Sequence, residues 1–223
     1  MKKLQESGVD MIEIGMPFSD PLADGPVIQK SSNIALKNGM TSMLLFKQLE
    51  KAREEIKIPL IIMGYFNPIM QFGVEKFCEK CNQVGIDGLI IPDLPVEIYQ
   101  KSYRSIFKKN DLYKIFLITP QTSRERINLI DKASNGFIYM VSTASVTGAK
   151  KRFGDEQIKY FDRVNKMKLK NPTVVGFGVS NFETFRLACE NSNGAIIGSA
   201  FIKFLEQNDK NKISDFVSKI KGK

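Results

Sequence analysis

Seven short apolar runs, the amphipathic segments between them and an even composition from end to end predict an α/β fold. The expected architecture is a TIM (β/α)8-type barrel that lacks its first β-strand. The runs are residues 11–15, 59–64, 88–92, 114–119, 137–142, 173–178 and 194–198. Each is short, and rich enough in aliphatic and β-branched residues to be a strand buried on both faces. Strands that alternate with helices argue for βαβ units and a parallel sheet. A (β/α)8 barrel needs eight strands and typically about 250 residues. This chain has 223 residues and opens on LQESG, which reads as the last turns of a helix, so the missing strand is expected at the front. With no Gly/Ser/Pro-rich linker, residues 1–223 are read as a single phosphate-binding (β/α) barrel domain without its N-terminal strand.

The helices announce themselves by their starts. Pro26 suits the first turn of a helix, where its missing N–H costs nothing. Thr41 can cap the segment that carries Leu44, Leu45 and Leu49. Thr122 with Glu125, and Ser180 with Glu183, both fit the capping box.

Composition narrows the chemistry. The chain has no histidine, which removes histidine general bases, Ser-His-Asp and Cys-His nucleophiles and His-ligated metals. Acid–base work then falls to carboxylates, Tyr, Lys or Cys. Three cysteines do not form a disulfide framework and fit a reducing cytoplasm. Cys78 and Cys81 form a C-x-x-C inside a helical stretch, but four zinc ligands cannot be assembled around them, so the pair is read as structural. No apolar run approaches the ~20 residues of a membrane span, and the start is no secretory signal. The formal charge of +9 is scattered over helical stretches and accompanies no nucleic-acid motif, so it is read as solvated helix surface.

Barrels of this kind carry their sites at the C-terminal ends of the strands. The densest such end is MIEIGMPFSDPLADGP, residues 11–26. Glu13 alternates with Ile12 and Ile14; if they face the helices, Glu13 faces the interior, where partial desolvation favours an acid–base role. The alternative is a surface glutamate near a strand end. Asp20 and Asp24 lie in turn sequences where Asp bonds its own backbone. For Asp24 that reading competes with a role as a second carboxylate facing Glu13. Glycine-bearing turns follow three later runs, at Val146-Thr147-Gly148, Gly176-Phe177-Gly178 and Gly198-Ser199. Three such turns in succession at strand ends point to a phosphate ester, since glycine lets backbone N–H groups approach an anion. Phe177 is read as packing.

The run from Ile12 to Gly15, followed by PFSDPLADGP, resembles the signature of tryptophan synthase alpha subunits. The order continues through Gly64-Tyr65-Phe66-Asn67-Pro68, Pro92-Asp93-Leu94-Pro95, Thr119-Pro120, Val146-Thr147-Gly148, Gly176-Phe177-Gly178-Val179-Ser180 and Gly198-Ser199-Ala200. The resemblance spans the chain. It implies a cytoplasmic carbon–carbon lyase of tryptophan biosynthesis that splits indole-3-glycerol phosphate by a retro-aldol reaction. Glu13 matches the family's acid–base and Asp24 the carboxylate that bonds the indole N–H, while Tyr139 lines the same cavity. Gly148, Gly178, Gly198 and Ser199 match the phosphate cradle, and Thr147 the threonine of a mobile lid. Pro17, Phe18, Asp20, Pro21 and Asn67 match the face that docks on a beta subunit, with an α2β2 tetramer expected. No cofactor is expected in this chain; pyridoxal phosphate belongs to the partner. Ser145 stands where the family often has glycine. The missing strand motivates an alternative, a truncated chain of weak or no activity that only docks on the beta subunit.

Overall fold

Aliphatic and β-branched runs buried on both faces favour extended backbone, and the lysine- and glutamate-rich segments between them favour helix. A computed structural model describes residues 1–142 and 153–223. The described chain falls into two compact units, Met1–Ala23 with Gln29–Ile115, and Asp24–Ile28 with Phe116–Lys223.

The first unit runs through α1 (Lys2–Glu6), β1 (Ile12–Gly15), α2 (Pro26–Lys37, from Gln29 onward), α3 (Ser42–Glu55), β2 (Leu60–Met63), α4 (Phe66–Phe72), α5 (Val74–Gln83) and β3 (Gly88–Ile90). It continues through a single turn α6 (Val96–Ile98), a π-helical turn (Tyr99–Tyr103), α7 (Arg104–Lys109) and the first half of β4 (Tyr113–Ile118). The strands pair in parallel with Glu13 opposite Ile61, Ile61 opposite Gly88 and Gly88 opposite Tyr113. Because residues paired in this way point to the same side, Ile12, Leu60 and Lys114 with its partner Leu89 lie on the opposite face from Glu13. Phe46, Phe72 and Phe77 meet edge to face with centroids 5.1–5.8 Å apart and form the aromatic heart of the unit. Cys78 and Cys81 are fully buried beside Phe77 on α5. Burial raises both thiols, Cys78 to about 12, so neither is a thiolate near neutrality. The structural reading of the pair fits. At α3, Thr41 accepts the Leu44 N–H at 3.1 Å, as its position predicts.

The second unit takes the rest of β4, then α8 (Arg124–Ala133), β5 (Ile138–Val141), α9 (Asp155–Asn165), β6 (Thr173–Gly176), α10 (Phe182–Asn191), α11 (Ser199–Gln207), a 3-10 turn (Lys210–Lys212) and α12 (Ile213–Lys221). Its pairings are also parallel, with Leu117 opposite Tyr139 and Tyr139 opposite Val174. The predicted strand at 194–198 is reduced to one isolated bridge, Val175 with Ala195. It is held by Val175 N–H to Gly194 O (2.9 Å) and Ile196 N–H to Val175 O (2.8 Å). Two bonds on one edge align the segment without building a ladder, so six strands stand among the described residues.

Two caps sit one residue later than expected. Ser123, not Thr122, accepts the Arg126 N–H (3.2 Å), because the Thr122 hydroxyl is already committed to the Thr119 N–H at 2.9 Å. Asn181, not Ser180, caps α10 through the Thr184 N–H (2.9 Å), and the Thr184 hydroxyl takes the Ser180 N–H (3.0 Å).

The turn into β6 hangs on one carboxylate. Asp131, buried on α8, accepts the N–H groups of Lys170 and Asn171 (both 3.0 Å) and the Asn171 side-chain amide (2.8 Å). Asp131→Ala strands these donors in a buried site, and leaving them unmade costs more than the bonds gain. Urea unfolding should show a loss of roughly 2–4 kcal/mol.

Candidate active site

Glu13 sits one residue before the penultimate position of a four-residue strand, flanked by Ile12 and Ile14, as its alternation predicts. The side chain is half-buried and its Oε2 is shut off from solvent. At least one oxygen of this carboxyl group is therefore held away from water.

The loop that leaves β1 is pinned from α4. Tyr65, the residue before that helix, receives the Ala23 N–H on its hydroxyl (2.9 Å), and its ring lies 5.2 Å from that of Phe18. Asp20 lies in a turn, but not through the expected side-chain-to-backbone bond: its carboxylate accepts the Ser19 hydroxyl, and its main-chain carbonyl accepts the Leu22 N–H at 3.0 Å. Pro17 and Phe18 are half-buried, Pro21 is buried and Asp20 is exposed. Leu22 is 91% exposed, and Asn67 and Met70 on α4 face solvent. The first unit thus holds Glu13 together with all five residues of the expected docking face.

The second unit holds Asp24, Tyr139 and the glycine turns. Asp24 is half-buried two residues before α2 begins at Pro26. Tyr139 is buried on β5, and its ring meets Phe177 edge to face at 6.0 Å. A Cβ at Gly176 would lie 2.1 Å from the Tyr139 hydroxyl, so only glycine admits the ring. Gly176→Ala should push the tyrosine aside, at about 1–3 kcal/mol as for other overpacked cores. Urea unfolding, with the tyrosine near-ultraviolet signal alongside, measures both consequences.

Beyond β6 the backbone turns left-handed twice, at Phe177 (φ 64°) and Gly178 (φ 74°). For glycine this is free; for phenylalanine it costs on the order of 1–3 kcal/mol and is held by surroundings, here the Ser142 hydroxyl donating to the Phe177 carbonyl at 2.6 Å. Phe177 packs on Tyr139, as read from the sequence; its left-handed backbone and the Ser142 bond that holds it were not anticipated.

Gly198 precedes the first residue of α11, and Ser199 opens that helix with its side chain exposed. The N-terminal amides of a nine-residue helix, with the helix dipole behind them, suit an anion. Thr147 and Gly148, the lid threonine and one member of the expected cradle, lie outside the described residues.

A groove of about 420 Å³ between α8 and α9 is lined by Arg124, Lys159, Asp162, Arg163, Lys166 and Met167, and Glu13, Asp24, Tyr139, Gly178, Gly198 and Ser199 are not among its walls. Its Arg163 donates to the carbonyls of Thr122 (2.9 Å) and Pro120 (2.8 Å), holding the loop after β4. Among the described residues no group of His, Cys, Asp or Glu could hold a metal ion, and no helix is long and apolar enough to cross a membrane.

The chain matches a family model described as "Tryptophan synthase alpha chain" over residues 1–221. It is 61% identical over 221 residues to a tryptophan synthase alpha chain of Flavobacterium johnsoniae, covering 99% of this chain and 87% of that one. Among solved structures it is similar to the tryptophan synthase A-subunit of Pyrococcus furiosus, with a TM-score of 0.89 at 32% identity, covering 100% of this chain and 92% of the other. The tryptophan synthase complex of the same organism contains a chain similar to this one with a TM-score of 0.87 at 32% identity, covering 99% and 90%. The architecture is accordingly that of a TIM-type barrel.

Proposed function

Because the chain belongs to the tryptophan synthase alpha chain family, we propose that it cleaves indole-3-glycerol phosphate to indole and glyceraldehyde 3-phosphate, as one catalytic barrel domain. The observation that carries the reading is Glu13, a strand-borne carboxyl group with one oxygen shut off from solvent, in a chain that has no histidine to share the work.

In the retro-aldol step the bond between indole C3 and the glycerol side chain breaks. Glu13 protonates C3, which turns the ring into a cationic tautomer able to accept the bonding electrons. It then takes the proton of the neighbouring hydroxyl as that oxygen becomes the aldehyde of glyceraldehyde 3-phosphate. The proton is conserved and no water is consumed. Asp24 accepts the indole N–H and stabilises the cation; a carboxylate in this place acts through charge that develops only on the way to the transition state. Tyr139 lines the cavity. Backbone amides at Gly178, Gly198 and Ser199 hold the phosphate; the parts expected of Gly148 and Thr147 belong to residues outside those described.

The partner in this reading is a tryptophan synthase beta subunit in an α2β2 assembly, met through Pro17, Phe18, Asp20, Pro21 and Asn67. Exposed Leu22 and Met70 add apolar surface to the same loop and helix, in keeping with a covered face. Pyridoxal phosphate on that subunit would condense the released indole with serine; this chain supplies no cofactor. A cytoplasmic location follows from the same reading. The test mixes the purified chain with a beta subunit of a close relative and follows both products. Indole and glyceraldehyde 3-phosphate should appear in equal amounts, and failure to form either overturns the proposal.

A further inference from the structure

Lys114 is fully buried on β4, with 0% of its surface exposed. Its Nζ donates to the Ile115 carbonyl at 2.9 Å and reaches the Ile91 carbonyl, just past the end of β3, at 3.4 Å. Burial pushes its ammonium group down to about 7, against the opposing pull of Asp93. A lysine in such a place is unusual unless something holds it, and here the cleavage chemistry makes no use of it.

What it holds can be followed through the first unit. Asp93 stands two residues beyond Ile91, and both of its carboxylate oxygens accept the Phe66 N–H, at 2.8 and 3.1 Å. Phe66 is the first residue of α4, a helix whose own cap residue, Tyr65, makes no side-chain cap bond. Asp93 therefore caps α4 from a distant loop, with the negative charge placed where the helix dipole favours it. Tyr65 in turn bonds Ala23 and packs on Phe18. From Lys114 the path runs to the Ile91 carbonyl, along two residues of chain to Asp93, and from Asp93 through the Phe66 N–H to α4, which carries Asn67 and follows Tyr65 and its contacts with the loop after β1.

We infer that Lys114 is a positioning residue for docking: it ties the segment after β3 to β4, and through Asp93 sets the start of α4 and the Phe18–Asn67 face. The inference rests on the reading that this face meets the beta subunit. A purely structural lysine would behave in the opposite way to a positioning one. Replacing a buried charge by an apolar side chain of similar length is often neutral or stabilising, so Lys114→Met separates the two roles.

The experiment compares the full native chain with Lys114→Met by three measurements: melting temperature, amide hydrogen exchange, and beta-subunit affinity by calorimetry. The expected result is a melting temperature equal to or above native, at least tenfold faster exchange of the Phe66 amide with Ile62 in β2 unchanged, and at least fivefold weaker affinity. Native-like exchange at Phe66 overturns the inference, and so does faster exchange with native affinity. Should Lys114→Met not fold, Asp93→Asn in the native background is read in the same way. Exchange is measured without the partner. A native chain that fails to bind the beta subunit therefore sinks the docking reading, while a bound native chain with an indistinguishable variant sinks the role of Lys114 alone.

Discussion

Glu13→Gln is expected to abolish detectable indole release, a loss of roughly 10²- to 10⁴-fold, the usual worth of a positioned acid–base group. The substitution keeps the size and much of the hydrogen-bonding shape of the side chain, and removes only its capacity to exchange a proton at working pH. It lies in a strand between Ile12 and Ile14 with one oxygen already out of solvent, so exchanging charge for a neutral amide removes a desolvation cost and should not weaken the fold. Folding by circular dichroism and affinity for the beta subunit should match the native chain while turnover disappears. Full activity in the variant would sink the mechanism, because no histidine is present to take the role over.

The second large effect is on stability against pH. Burial holds the folded-state value of Lys114 near 7, against 10.5 for an ordinary lysine. Below pH 7 the amine is protonated both folded and unfolded, and the fold carries the full cost of a buried cation. Between about 7 and 10.5 the unfolded chain binds a proton that the folded chain has released, so this group makes stability rise with pH across that window. The whole rise is on the order of 5 kcal/mol. The measurable quantity is the urea-unfolding free energy of Lys114→Met minus that of the native chain at pH 6, 8 and 10. The difference should favour the variant most at pH 6 and shrink steadily toward pH 10. A difference that stays constant with pH would show that the lysine is not titrating in the fold.

Much of the fold was legible because it depends on short stretches of chain. Six apolar runs became strands within two residues of their expected bounds, Pro26 opened a helix and Thr41 capped one. The caps at Ser123 and Asn181 were displaced by one residue because the Thr122 hydroxyl is turned to the Thr119 N–H, and the Ser180 N–H is taken by the Thr184 hydroxyl while Asn181 accepts the Thr184 N–H, partners fixed by the folded geometry and not by residue type. Strand 194–198 looked like the others in composition, but ladder formation depends on what lies alongside, and only Val175 with Ala195 bridges. In the candidate site, the parity of Glu13 within β1 could be read from two flanking isoleucines. Lys114 could not be read at all. Next to Tyr113 at the beginning of a strand it resembles a solvated end, and its burial comes from segments far away in sequence. The left-handed Phe177 was hidden for a related reason, since its strain is sustained by Ser142, 35 residues earlier.

The fit between Gly176 and Tyr139 also constrains how such a chain can diverge. With the tyrosine in place, no single substitution at position 176 is tolerated without displacing the ring, whereas a smaller side chain at 139 opens position 176 to ordinary residues. Descendants would therefore lose the tyrosine first and the glycine second, and the reverse order would pass through a damaged intermediate. Two positions on neighbouring strands are thus inherited as one character, and the order of their replacement has a direction.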